Sequence, residues 1–465
     1  MEEGAINLNV TGLTESATVY FLALLMAEIK RPCLIVLSQA KDARKFFSEL
    51  EFFLPESYVQ TDPGERRLYD FPVYDISPLT GLSPHRDVIT RRLQALYALT
   101  AEKNPIVVTS TEAILFRIMP KETLIKSPEY MEVGEELERE NFIQKLQVNG
   151  YIRTSLVEER GDYSIRGGVI DIFPPLYPQP VRMEFWGDRL ESLRHFDPLS
   201  QRSTEHLKEM VLLPANEIIM ERENIKRARS MGRLPGRIQD GPTSFPGQEA
   251  WLNHFYSHTD TLFEYFPRNG LLILIDPHRL ERETTRFREK FYRDAESYRH
   301  EAGQRGNPFP EIEGLLLSRE KIEQLFRTCQ RMGFSELAIE KQEASVHSLH
   351  IKDTSKIDED LDVKFARKGR ISMAPLAEKL SEWLSLGSRV VLVCRTEQQA
   401  HRLTEILHNY EVKVDEVVTH WDRVSIGRGL SICLGRLSRG FIWPDLGIYV
   451  VSEDEIFGPK RPRAK

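Results

Sequence analysis

Short apolar runs, set among longer stretches of mixed sequence, give this chain its framework. Cys33 to Leu37 (CLIVL), Leu271 to Ile275 (LLILI) and Arg389 to Cys394 (RVVLVC) are near-continuous in aliphatic residues, as strands buried on both faces of a parallel sheet must be. Ile106 to Thr109 reads the same way. Elsewhere the apolar spacing is helical. Thr18 to Lys30 predicts a helix and Asp42 to Leu54 an amphipathic one. Ser83 and Pro84 supply an N-cap and first helical residue for a helix that ends near Leu99. Met373 to Leu386 and Thr396 to Asn409 read as helices around the RVVLVC run, with Ser431 to Leu434 and Leu446 to Val451 as further strands. Strand and helix alternating in this manner predict an α/β protein with a doubly wound sheet.

Gly161 to Ser203 breaks that rhythm. Val169 to Phe173 and Val181 to Trp186 are short strands, Gly187-Asp188 turns tightly into Leu190 to Phe196, and the whole reads as an antiparallel meander. Strand side chains alternate, so Val181, Met183 and Phe185 share an apolar face while Arg182, Glu184 and Trp186 share the other. A tryptophan and an arginine on a face that should meet water are the residue types most enriched at binding hot spots. Arg166 precedes Gly167-Gly168, where a bulge or a close backbone approach is expected, and it is placed on the same surface.

The strings RGGVIDIFPP, VRMEFWGD and ESLRHFDPLSQRS resemble the UvrA-contacting domain shared by the excision-repair protein UvrB and the bacterial transcription-repair coupling factors. The Pro-rich connection, the ending DPLSQRS and the upstream YDISPLTGLSPHRDVITRRLQALYAL side with the coupling factors, and LGRLSRGFIWPDLGIYVVSEDEIFG resembles their small third domain. The resemblance implies a degenerate RecA/UvrB-like, helicase-like α/β domain in two halves, 1–122 and 214–349, interrupted at 123–213 by a small β-rich UvrA-interaction domain. A linker at 350–370, a small third α/β domain at 371–457 and a basic linker at 458–465 complete the implied order. By matching position, Arg166, Arg182 and Trp186 would touch UvrA, although the family more often has Phe where Trp186 stands. The resemblance also implies a longer protein. RNA polymerase and double-stranded DNA would be engaged by domains downstream of FGPKRPRAK, ATP and magnesium by a translocase motor there, and the UvrA surface would stay masked until that motor engages.

A phosphate-binding loop belongs at the first strand-to-helix turn, Val10 to Ala17. Such a loop needs a second glycine, a lysine and a Ser or Thr for magnesium. Gly12 and Ser16 are kept, but Thr14 holds the glycine place and Glu15 the lysine place, and a carboxylate repels a triphosphate. After LLILI, Asp276 stands where a magnesium-binding Asp would, and Pro277 where the water-activating Glu would. No catalysis and no cofactor are expected of these residues.

Composition narrows the rest. A net charge of -7 gives no basic footprint for nucleic acid over the whole chain, and 41% hydrophobic residues describe a soluble globular protein. Its 465 residues exceed one core. The acidic opening MEEGAINLNV is no signal peptide, so the protein is expected in the cytoplasm. Cys33, Cys329, Cys394 and Cys433 lack metal spacing and read as reduced thiols. His254 and His258 lack the glutamate of a zinc motif, and His347 and His350 sit in a polar stretch, so no metal is expected. Asp162, Glu184, Asp188 and Glu191 read as solvated strand edges, and Met231 to Gly247 as a loop. Trp251, Phe255, Phe263, Tyr265 and Phe266 read as core rather than a ladder for single-stranded DNA, and Arg428, Arg436 and Arg439 as a solvated basic patch. The function expected is recruitment of UvrA in transcription-coupled nucleotide excision repair. A UvrB-like ATP-dependent loader of damaged DNA is the alternative from another class, and a DNA-binding module a third.

Overall fold

The computed structural model describes residues 7–13, 15–59, 66–232, 234–235, 244–336, 345–349, 352–353, 373–425 and 427–457. Seven strands form the first sheet, in the order Ser345–Ser348, Asn7–Thr11, Gln330–Ser335, Leu271–Ile275, Cys33–Leu37, Ile106–Ser110 and Leu68–Phe71, with every pairing parallel. The CLIVL strand lies inside this sheet and is buried along its whole length. Leu34 and Val36 enter one apolar cluster with Val107 and Leu272, while Cys33, Ile35 and Leu37 enter another with Val108 and Ile273. A strand must be apolar at every position when both faces are covered, and this one is. Four of the seven strands precede residue 129 and three follow residue 212, so the chain leaves the sheet and returns to it.

The excursion builds a second sheet, in the order Ser203–Leu207, Arg189–Phe196, Val181–Trp186, Val169–Ile172, Asp162–Arg166 and Ile152–Arg153. It is antiparallel except for the last pair. Its apolar face, with Tyr163, Ile170, Met183 and Leu193, closes over Phe142 and Leu146 of the helix Arg139–Val148. A two-stranded ribbon of Glu129–Glu132 and Glu209–Leu212 joins the exit to the return. Just past it, Glu217 reaches the helix Arg86–Ala101, where Arg92 donates from Nε to Oε1 at 2.5 Å, both side chains fully buried.

A third sheet runs Lys352–Asp353, Phe441–Trp443, Ile448–Ser452, Arg389–Cys394, Gly429–Leu434 and Glu416–Val418. In the RVVLVC strand, Val390, Leu392 and Cys394 pack under the helices Ala374–Ser385 and Glu397–His408. Val391 and Val393 face the opposite way, into a cluster shared with the first sheet and its helices.

Some expectations need correction. The helix expected from Ser83-Pro84 begins at Arg86 and is capped by His85, whose Nδ1 accepts from the Asp87 N–H at 3.2 Å. Ser83 is used otherwise, donating to Glu249 at 3.1 Å and accepting from the Gly247 N–H. In the segment expected as a linker, Lys352–Asp353 pair as an edge strand with Phe441 and Ile442. The rest of 350–370, much of the Met231 to Gly247 loop, Thr14 and the basic end 458–465 lie outside the described residues. Among the described residues no helix is long and apolar enough to cross a membrane.

Candidate functional site

The outer face of the second sheet is set by its register. Ser164, Asp171, Arg182 and Arg194 stand opposite one another on four neighbouring strands. Arg166, Val169, Glu184 and Ser192 form the adjacent row. Cross-strand neighbours share a face, so Arg166 lies on the side that carries Arg182, Glu184 and Trp186. The turn before it brings backbones close: Gly167 has φ +58°, and a Cβ on Gly168 would sit 2.7 Å from the Phe185 carbonyl oxygen.

Each cation on this face is held. Arg182 grips Asp171 with both prongs, Nε to Oδ1 at 2.7 Å and Nη2 to Oδ2 at 2.9 Å, and its guanidinium lies 4.7 Å from the centre of the Phe196 ring. That hydrogen-bonded carboxylate pushes the Arg182 pKa above its ordinary value. A third bond, from Nη1 to the Gln201 carbonyl at 3.3 Å, ties it to the turn after Phe196. Arg194 pairs with Glu184, which also accepts from Ser192 Oγ at 2.9 Å. Arg166 is exposed and donates to the Ser155 carbonyl at 2.9 Å. Trp186, at the end of its strand before the Gly187 turn, is 82% exposed. Large apolar side chains belong in cores, so an indole left in water on an ordered strand is the informative exception.

The loop after the first strand holds a different arrangement. Gly12 has φ +84°, and the Leu349 carbonyl oxygen lies 2.2 Å from where its Cβ would be. Glu15 accepts from Lys45 Nζ at 2.8 Å. Ser16 is buried, its hydroxyl 3.3 Å from that of Ser438 in the third unit. Asp276 has φ +53° and caps the helix Pro277–Gln304 by accepting from the Arg279 N–H at 3.2 Å, with Pro277 as first helical residue.

The other candidates take bland places, with one exception. Trp251, Phe255, Tyr265 and Phe266 are buried and Phe263 packs against the same cluster, as the core reading expects. His254 is buried beside Trp251, which lowers its pKa, while His258 is exposed. Among the described residues no three His, Cys, Asp or Glu side chains are grouped to hold a metal. Arg428 and Arg436 are exposed and Arg439 half-buried. Cys33, Cys394 and Cys433 are buried and burial pushes each thiol up to about 12, whereas Cys329 is half-buried. Asp162 is the exception. It is no solvated edge but a buried carboxylate, paired with Arg86 of the first unit and accepting from the Glu158 and Glu159 N–H groups at 3.3 and 3.0 Å. The sequence reasoning also missed Asp171, whose signal was a lone acid inside the apolar strand Val169–Ile172.

Comparison with known proteins adds two domain matches: residues 130–218 match the UvrB interaction domain family, and residues 385–456 match the MFD D3 domain family. Along the whole chain, similarity runs to proteins named transcription-repair-coupling factor. That of Myxococcus xanthus is 29% identical over 97% of this chain, and that of Bacillus subtilis 25% over 100%. A Staphylococcus aureus relative is 24% identical over 99%. The chain spans 39% of the length of each of these relatives.

Proposed function

We infer that this chain, a UvrB-homology module of the transcription-repair coupling factor family, is a docking platform for UvrA. Its outer sheet face brings the repair protein to RNA polymerase stalled on damaged DNA. The observation that carries the reading is the exposed indole of Trp186, on a strand shared with Arg182 and on a face shared with Arg166. A rigid sheet presenting an aromatic anchor beside immobilised guanidinium groups loses little side-chain freedom on binding, which is what makes such residues hot spots.

No reaction is assigned to this module. The first unit is a degenerate helicase-like fold, doubly wound in its ancestry, with Glu15 in the lysine place of the phosphate loop and Pro277 in the place of the second acid. ATP, magnesium, double-stranded DNA and RNA polymerase belong to the parts of the full-length relatives that this chain does not cover, and the setting is the cytoplasm. The alternative, a UvrB-like ATP-dependent loader, finds less support: Glu15 is committed to Lys45, and the Leu349 carbonyl crowds Gly12.

The test is binding of the full chain to purified UvrA by calorimetry or interferometry. Trp186→Ala and Arg182→Ala should each weaken binding by about 2 kcal/mol or more, roughly thirtyfold. Wild-type affinity in the double variant removes this face from the interaction. Stabilisation of the chain by magnesium-ATP would favour the loader instead.

A further inference from the structure

Two carboxylates close to the first strand-to-helix turn, Glu15 and Glu49, take donors from elsewhere in the chain. Glu15 Oε2 faces Lys45 Nζ at 2.8 Å and the Ser438 hydroxyl at 3.5 Å. From the neighbouring helix Ala40–Phe53, the buried Glu49 accepts the Ser438 backbone N–H at 3.0 Å. The Ser16 and Ser438 hydroxyls are 3.3 Å apart. Apart from the Lys45 pairing, these contacts converge on Ser438 in one short loop of the third unit, residues 435–440, and apolar contacts flank them. Leu437 is buried in the cluster shared with the first sheet, and a Cβ on Gly435 would sit 2.3 Å from the Phe52 ring. The same loop is braced from its own side, by Ser452 Oγ donating to the Leu437 carbonyl at 2.8 Å and by the Gly440 N–H donating to Glu455 at 2.9 Å.

We propose that Glu15 and Ser16, at the start of the first helix, form with Glu49 a binding site whose resident ligand is the 435–440 loop of the same chain. The polarity of the site has been inverted. A phosphate loop offers donors to an anion, whereas Glu15 and Glu49 offer acceptors, and an amide N–H with a hydroxyl is the complementary ligand. Glutamate in the lysine position is then a new contact as well as a lost one. The consequence is a first and third unit held in one arrangement whether or not nucleotide is present, so the UvrA-facing sheet rests on a scaffold with no nucleotide-driven opening. The proposal stands on the loop contacts alone and does not require the UvrA assignment.

The experiment uses the full chain carrying Ser16→Cys with Ser438→Cys. The two hydroxyls are 3.3 Å apart, so a cysteine pair at these positions reports directly on the contact. Mild oxidation should cross-link the pair at least about tenfold faster than a control pair of Ser16→Cys with Ser425→Cys, because the contact raises effective concentration. Magnesium-ATP should leave that rate unchanged, and the cross-linked chain should bind UvrA as the reduced chain does. A rate no faster than the control, slowing by magnesium-ATP, or loss of UvrA binding only on cross-linking would each overturn the proposal. Loss of binding in the reduced Cys pair and in Trp186→Ala alike bears on the docking face, not on this loop. Should the Cys pair fail to fold, hydrogen exchange on the wild-type chain decides the matter. The Ser438 amide should be protected and should become at least about tenfold faster to exchange in Glu49→Ala, and exchange at the free-loop rate in the wild type overturns the proposal.

Discussion

Arg182 is not free to move, and on the proposed docking face that restraint would serve a partner. Asp171, 2% exposed, holds both prongs of the guanidinium, and the Phe196 ring supports its flat side. A fork fixed in this way gives up little entropy when a second surface meets its edge. Asp171→Ala should therefore weaken UvrA binding although Asp171 is buried beneath the face, and should cost roughly 1–3 kcal/mol of stability from the lost charged hydrogen bonds. Adding Arg182→Ala to that variant should produce little further loss of affinity, which a double-mutant cycle measures directly. Trp186 is the contrasting case. Its side chain packs on little, so Trp186→Ala should leave the unfolding free energy within about 0.5 kcal/mol while removing much of the binding. Denaturant titration beside a binding isotherm separates the two effects. Trp186 was legible from strand alternation alone, because parity puts it opposite Phe185. Asp171 was not, since the same parity says which face it occupies but not that the guanidinium of Arg182 would stand opposite it on the next strand and close on it.

At the level of elements, the joint between the two sheets rests on buried charge. Arg92 sits in the helix Arg86–Ala101, sandwiched 4.2 Å from the centres of both the Phe71 and Tyr74 rings, and pairs with Glu217 on the returning chain. Breaking such a pair leaves an uncompensated buried carboxylate, so Arg92→Met should cost about 3–5 kcal/mol, and Arg92→Met with Glu217→Leu much less. Thermal or denaturant unfolding reads both. Close by, Glu249 is buried with one oxygen bonded to Ser83 and the other without a partner, and burial pushes its pKa from 4.5 up to about 7. The folded state then holds a proton that the unfolded state has released, so stability is full below the unfolded value, declines as pH rises from 4.5 to about 7, and stays reduced above it. Glu249→Gln should flatten that decline, by an amount on the order of 3 kcal/mol at pH above the window. Melting curves at stepped pH would show it. The elements themselves were readable because CLIVL, LLILI and RVVLVC carry their environment in their composition. The helix start was not, because Ser83-Pro84 and His85 both satisfy local capping chemistry and the choice fell to Glu249, distant in sequence. Asp162 failed for the same reason: a carboxylate at a strand end looks solvated until Arg86 arrives from another unit.

Over the whole molecule, the face that was hardest to foresee is the one between the first and third units. Tyr20 and Phe53 of the first meet Trp421, Phe441 and Trp443 of the third, with Phe53 and Trp421 ring centres 4.8 Å apart and Tyr20 and Phe441 5.4 Å apart. In sequence each of these aromatics satisfies its own local element, and no period records that Val391, Val393 and Val450 are covered by another unit rather than by a helix of their own. The energetic consequence is distinct from that of an ordinary core. Trp421 also stacks edge-on against Phe52 at 5.5 Å and underlies the Arg389 guanidinium, so Trp421→Ala opens a cavity that both units border. Truncating a buried tryptophan costs roughly 3–5 kcal/mol, enough to exceed the coupling between two units that are each marginally stable. The wild-type chain should therefore unfold its first and third units together in denaturant, whereas Trp421→Ala should split the transition, with the third unit melting first. The second sheet touches neither aromatic face, so the same variant should still bind UvrA at concentrations of denaturant below the first step. Loss of UvrA binding in step with the third unit would mean that the docking face depends on this interface, and a single unchanged transition would mean that the aromatic contact does not hold the units together.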